Sequence, residues 1–525
     1  MKKIIFLFLF PLVLFAQGEK QQALELPDFI ITGTRGIDVP ILQKKKPKLI
    51  SILANDFFMP AFSPEDFVPA VLTSPYVKEF KIISPYQNYE GKISIGAGRY
   101  TLPAGEFNFV KNLSGLILNL NALGSNITQY IPDAGYNNTL LSLGGDYFVN
   151  SSSDFLNSTA MSFDLSYFRN SYNMFASPVP SDKRNTNQFN GNVSLSNNAF
   201  KYLSYNFSFN AQLFNLDYLS TKETKLGASG SIEYKSQAFN LAAQVSFKNQ
   251  SIENTIFASD NNSILATDLL LKLKPVSGVQ TGAGIYMANY NGSTFFMPKA
   301  NLQMILNDNF TLFAEFSPEI EFLTFSEIIS SNRYADFIPA AFQKKKTDFK
   351  VSLRYEYGKY FEISGGIGFA SYNNFIYFED DLTAGVFSPK TVDAKRIYSF
   401  VKLNFHPGPF GYFYGNVILQ DITNDDSKVI PYQPALDANL VYGYDFDMGL
   451  SFKAKINYQT SAYSDLLNVS KLPALQNFGF SVSYKIQNNL TVKLDLENIT
   501  NNKNYYFKGY LEKPFDIVAG VEYRW

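Results

Sequence analysis

Cysteine is absent from this chain of 525 residues. That absence removes disulfides, thiolate metal sites, a cysteine nucleophile and a lipoprotein-type acylated cysteine together. Histidine occurs once, as His406 in the turn-like HPGPF, which is too little for a histidine-rich metal site. Charge of one sign is also lacking: the net charge is -1, so no basic field exists to hold nucleic acid. Beyond the N-terminus no run reaches the roughly 18 uninterrupted apolar residues that a membrane-spanning helix needs. Phosphate-loop and nucleophile-elbow patterns are missing too. Gly96-Ala97-Gly98 and Gly365-Gly366 have no helix start after them and suit strand kinks instead. These absences leave no compact catalytic set, and neither an enzyme nor a cofactor is expected.

What is present is aromatic and alternating. The chain has 50 Phe and 34 Tyr, and 16% of it is aromatic. Its mean hydropathy of -0.10 would suit a soluble protein. Averages of that kind conceal strands that carry one apolar and one polar face. Phe478, Phe480, Val482, Tyr484 and Ile486 alternate with small or polar residues up to Asn488-Asn489. Leu490, Val492, Leu494 and Leu496 then alternate with Thr491, Lys493, Asp495 and Glu497. Phe515, Ile517, Ala519, Val521, Tyr523 and Trp525 repeat the pattern at the end. Further upstream, Leu265, Leu269, Leu271 and Leu273 share a face, as do Phe349, Val351, Leu353, Tyr355 and Tyr357. Segments of about ten residues match the reach of a tilted strand across hydrocarbon.

The pattern therefore predicts an all-β fold: a closed antiparallel transmembrane β-barrel of about 22 strands, with 20 or 18 as the alternatives. Closure is required, because an open edge in lipid leaves unpaired amide and carbonyl groups. Short turns such as Asn488-Asn489, Asn307 to Asn309 and Gln237-Ala238 belong on one side of the membrane. Long polar connections, Ser171 to Asn187, Glu321 to Lys344 and Gln459 to Leu475, belong on the other. Lys350, Arg354, Glu356, Lys453, Lys455, Lys493, Asp495 and Glu497 are expected to line the lumen. Their mixed signs suit either salt bridges or a weakly selective path.

The N-terminal region differs. Residues 1–16, MKKIIFLFLFPLVLFA, read as a signal peptide with Lys2 and Lys3 ahead of an apolar core. Residues 17–88 read as a periplasmic segment, and 89–525 as the barrel. Within the segment, Lys44, Lys45, Lys46 and Lys48 form a basic run that suits a solvated linker or a contact for an anionic partner. Export, alternating strands and no helical anchor point to the outer membrane of a Gram-negative-type cell. Outer-membrane lipid and the barrel-assembly machinery are then the expected partners.

Two stretches resemble TonB-dependent receptors. DFIITGTR, made of Asp28, Phe29, Ile30, Ile31, Thr32, Gly33, Thr34 and Arg35, looks like the stretch those receptors pair edge-on with a strand of TonB. LDLENITNNKNYYFKGYLEKPFDIVAGVEYRW, residues 494–525, looks like their closing hairpin and assembly signal. The resemblance implies uptake of a solute across the outer membrane, with TonB or another periplasmic protein engaged through residues 28–35. It departs from the family in its plug, since only residues 17–88 precede the strands. A wide lumen with nothing in it would compromise the membrane. The N-terminal segment, inward-folded loops or a partner protein are therefore expected to fill it. A scaffold for a partner lipoprotein or secretion component, and a passive pore, are the alternative functions.

Overall fold

The computed structural model describes residues 90–525 apart from 150–155, 179–182, 218–219, 255–259, 337–340, 359–360, 381–382 and 409. The expected signal peptide at residues 1–16, the segment 17–88 and the stretch 28–35 lie outside the described residues.

Alternation sets the local structure. In Leu203–Leu216, Phe207, Phe209 and Leu213 are exposed, with Ser208, Asn210 and Gln212 between them on the other face. In Asp260–Val276, Leu265, Leu269, Leu271 and Leu273 are exposed, while Asp268, Leu270 and Lys272 are buried. Leucines in water beside a buried lysine make no sense for a soluble protein. The arrangement is consistent if the outer face meets acyl chains and the inner face meets a polar interior. No described helix is long and apolar enough to cross a membrane.

Each strand pairs antiparallel with the next along the chain, and the last returns to the first. Gly91–Gly98 pairs with Thr101–Leu113 on one side and with Asp516–Arg524 on the other, with Lys92 opposite Arg524 and Ile95 opposite Val521. The sheet is thereby closed. It has 22 staves, because Phe310–Phe316 and Glu319–Leu323 are two pieces of one interrupted strand, both paired with Ala341–Tyr357. Asp516 fastens the top of the seam. It is fully buried, and its carboxylate accepts from the Tyr100 amide at 3.0 Å, the Thr101 hydroxyl at 2.7 Å and the Lys513 ammonium at 2.9 Å.

The turns sort to two rims. Ser114-Gly115, Gln237-Ala238, Ser277-Gly278, Asn307 to Asn309 and Asn488-Asn489 lie on one. The connections 128–135, 173–183, 425–435, 460–474 and 498–515 lie on the other. One connection departs from its expected form. Glu321 to Lys344 is no simple polar loop. Glu319–Leu323 and the start of Ala341–Tyr357 remain a hairpin, tipped by the helix Phe325–Ser331. Thr324 caps that helix by accepting from the Glu327 amide, and the Glu327 side chain accepts from the Thr324 amide in return.

Candidate functional site at the loop-side mouth

That hairpin does not continue the wall. Its Ile320, Phe322 and Phe342 pack against the inner face of the staves beside it, on Ala266, Tyr286, Ala288 and Met297. The Tyr290 ring lies 4.4 Å from Phe342 and 6.1 Å from Phe322. The helix at its tip reaches further across the lumen. Phe325 meets Phe214 at 5.5 Å, and the buried Glu223 accepts from the amides of Phe325 at 2.9 Å and Ser326 at 3.1 Å. Gln250 donates to the same carboxylate at 2.6 Å. A carboxylate on the eighth stave thus holds the first turn of a helix that follows the thirteenth, where orphan amides and the helix dipole both favour negative charge.

Beside the helix, four more connections meet its own in one aromatic cluster. Tyr334 stacks on Tyr510 with centroids 3.3 Å apart and planes 12° apart. Phe175 stands edge-on to both, at 6.1 Å and 4.8 Å. Phe507 joins Phe387 at 5.4 Å and Tyr432 at 5.0 Å. Hydrogen bonds fix these loops to one another: Tyr172 donates to the Arg333 carbonyl at 2.6 Å, Arg184 to that of Ala335 at 2.9 Å, and Tyr510 to that of Gly385 at 2.5 Å. Gly385 has φ +80°, and a Cβ there would lie 2.6 Å from the Ala176 backbone, so only glycine fits the crossing. Tyr172 belongs to the fifth stave and Phe387 to the sixteenth, on roughly opposite walls. The cluster therefore spans the opening.

Its electrostatics follow from burial. The Arg333 guanidinium lies 4.9 Å above the Tyr136 ring and 5.8 Å from that of Tyr334. Burial raises the phenols of Tyr334, Tyr432 and Tyr510 well above their usual range. Burial likewise raises the Glu512 carboxyl, and Arg333 only partly offsets it. Its neutral form therefore favours the closed mouth. That contribution is complete below the ordinary value of 4.5 and fades as pH rises through the raised one. Hydrogen-exchange protection of residues 505–512 should accordingly fall on raising the pH from about 4.5. Glu512→Gln should flatten the dependence; an unaltered profile in that variant would assign it elsewhere.

The inner wall carries ion pairs, two of which reach across an intervening stave. Lys272 meets Glu233 at 2.9 Å, and Lys299 pairs with Asp268 and Lys493 with Glu522. Arg354 meets Glu356 at 2.9 Å. Of the charges expected to line the lumen, Arg354, Glu356, Lys493 and Glu497 are in ion pairs, and Asp495 accepts from the Ser481 hydroxyl instead. Lys350 differs: its ammonium lies over the Phe400 ring at 5.0 Å. Of the closing-strand residues, Ile517, Val521, Tyr523 and Trp525 point outward and exposed. Phe515 precedes the strand, with its amide donating to Asn501 at 3.0 Å. Sequence reasoning passed over Glu223, Arg333 and Tyr510 altogether. Pro318, a ladder-breaking residue inside an alternating run, was the available signal for the inward hairpin.

No family profile matches the sequence, and no curated relative does. Solved structures match its shape. The ferric enterobactin receptor of Pseudomonas aeruginosa is similar at 10% identity, over 83% of this chain and 80% of that one, with a TM-score of 0.61. The siderophore receptor PirA of Acinetobacter baumannii is similar at 9% identity, over 84% and 81%, with a TM-score of 0.63. The copper transporter OprC is similar at 11% identity, over 84% and 81%, with a TM-score of 0.60. At such identities the likeness concerns the fold. The closed wall, its lipid-type outer face and this match agree: the chain has the 22-strand transmembrane barrel fold of the TonB-dependent outer-membrane receptors.

Proposed function

We propose that this barrel takes part in uptake of a solute across the outer membrane, without covalent chemistry, driven through contact of residues 28–35 with TonB or a similar periplasmic protein. The observation that carries the reading is the mouth. Loops from opposite walls meet across it in a hydrogen-bonded aromatic cluster, which suits controlled admission better than free diffusion. The receptors and the transporter of like fold handle siderophores and copper, and that supports import over a scaffold role. A passive pore is the weaker reading because the opening is spanned.

The test is deletion of residues 28–35 in the full chain. Uptake and co-purification of the periplasmic partner should both be lost, while the barrel still reaches the membrane in normal amount. Uptake that continues at the parental rate would remove the energy-coupled part of the proposal.

A further inference from the structure

Two opposite charges at the mouth lie in one neighbourhood without meeting. Arg333 precedes Tyr334 in the chain, and Glu512 follows Tyr510 by two residues, so the stacked pair of rings brings them together. The Arg333 guanidinium lies over three tyrosine rings, at 4.9 Å from Tyr136, 5.8 Å from Tyr334 and 6.0 Å from Tyr172. Ring faces attract the cation but leave its N–H donors without acceptors. No carboxylate or carbonyl among the described residues accepts from them. Glu512 spends its amide on the Asn504 carbonyl at 2.9 Å, while its carboxyl group has no partner among the described residues. The hydroxyls of Tyr136 and Tyr334 make no hydrogen bond there either. Each charge acts on the other and on both phenols, yet no ion pair joins them.

The neighbouring groups are spent elsewhere. Lys513 pairs with Glu497 at 2.5 Å and with Asp516 at 2.9 Å. Tyr130 donates to the Leu511 carbonyl at 2.8 Å, and the Tyr506 hydroxyl accepts from Asn457 at 3.3 Å. What remains is one cation and one anion in a crevice that solvent touches, since Arg333, Tyr136 and Glu512 are all half-buried rather than sealed. Both have lost much of their water and neither compensates the other. A lone anion would satisfy Arg333 and be repelled by Glu512, and a lone cation would do the reverse. A ligand carrying both signs answers both groups at once.

We propose that this crevice receives a zwitterion, an α-amino acid or a short peptide, whose carboxylate takes Arg333 and whose ammonium takes Glu512. The forked guanidinium presents paired donors to a carboxylate. An ammonium supplies the counter-charge that Glu512 lacks. The hydroxyls of Tyr136 and Tyr334 are left for the ligand's remaining polar groups. Such a ligand sits where the connections 128–135 and 498–515 meet the one that carries Arg333. Its class rests on the uptake reading, but the test measures binding alone. A barrel that binds a zwitterion and does not import it fails that reading and keeps this one.

The full-length barrel in nanodiscs is titrated calorimetrically with L-alanine and trialanine, each also acetylated at the amine or amidated at the carboxylate. At least one of the two free zwitterions should bind, and which one reports the separation of the two receiving groups. Masking either end should weaken that ligand about tenfold. Arg333→Gln should bring the free ligand down to the level of its amide, and Glu512→Gln down to that of its acetyl form. Each variant should then be indifferent to the mask on its own side. The masked ligands test the parent chain itself, so the outcome does not depend on how a variant folds. Binding by neither zwitterion, equal binding of masked and free forms, or variants of parental urea midpoint that weaken every form alike would each overturn the proposal.

Discussion

Leu269→Arg is expected to lower the stability of the barrel in a bilayer by about 2–4 kcal/mol, whereas Ser231→Arg should shift it by about 0.5 kcal/mol or less. Leu269 is half exposed, near the middle of Asp260–Val276, with Ile285 opposite it on the next stave and also exposed. In hydrocarbon an arginine there must snorkel or thin the membrane locally. Ser231 lies between Gly230 and the exposed Ile232, so it faces inward and stands opposite Gln244. A cation at that position meets polar groups and water. Unfolding by urea from lipid vesicles, followed through the shift in midpoint, measures both variants. Equal losses would mean that the two faces do not meet different media, and the membrane reading would fall with them.

Tyr334→Ala and Tyr510→Ala carry the other large effect. Both rings are buried, and truncating a large aromatic to alanine costs about 3–5 kcal/mol. The rings stack on each other, so the double variant should lose less than the sum. The loss is local, because the rings join loops and leave the ladder of the wall untouched. We expect proteolytic nicking within 173–178 and 505–511 and raised hydrogen exchange there, with the urea midpoint of the wall unchanged. Planar-bilayer conductance should rise as the loops part. A double variant as protease-resistant as its parent would show that the cluster does not hold the mouth.

Much of the wall is legible in the sequence. The rows Leu265 to Leu273 and Phe349 to Tyr357, the turns at Asn488-Asn489 and Asn307 to Asn309, and the strand number follow from period-two alternation, a local property. The mouth was not legible, because it is made by pairings remote in sequence. Nothing near Tyr510 announces Tyr334, and Glu223 reads as one more inward strand residue until the helix at Phe325 arrives on it. The inward hairpin failed for another reason. Its alternation through Ile320 and Phe322 is the pattern of a wall strand, and periodicity cannot say whether an apolar face meets lipid or the inside of a neighbouring stave. Only the proline at 318 distinguished them.

The seam between Gly91–Gly98 and Asp516–Arg524 has a consequence for how such a molecule comes to exist. The wall is sealed by the two segments farthest apart among the described strands, so no partial product of synthesis is a smaller finished object. Until residue 524 is delivered, twenty-one ribbons share two raw margins, in an aqueous compartment that would glue them to anything similar. A wall wired this way loses both margins in one step, when the last strand arrives. At that join Trp525 docks against Gly91, where a Cβ would sit 2.1 Å from the indole, so a larger residue at 91 must displace the ring.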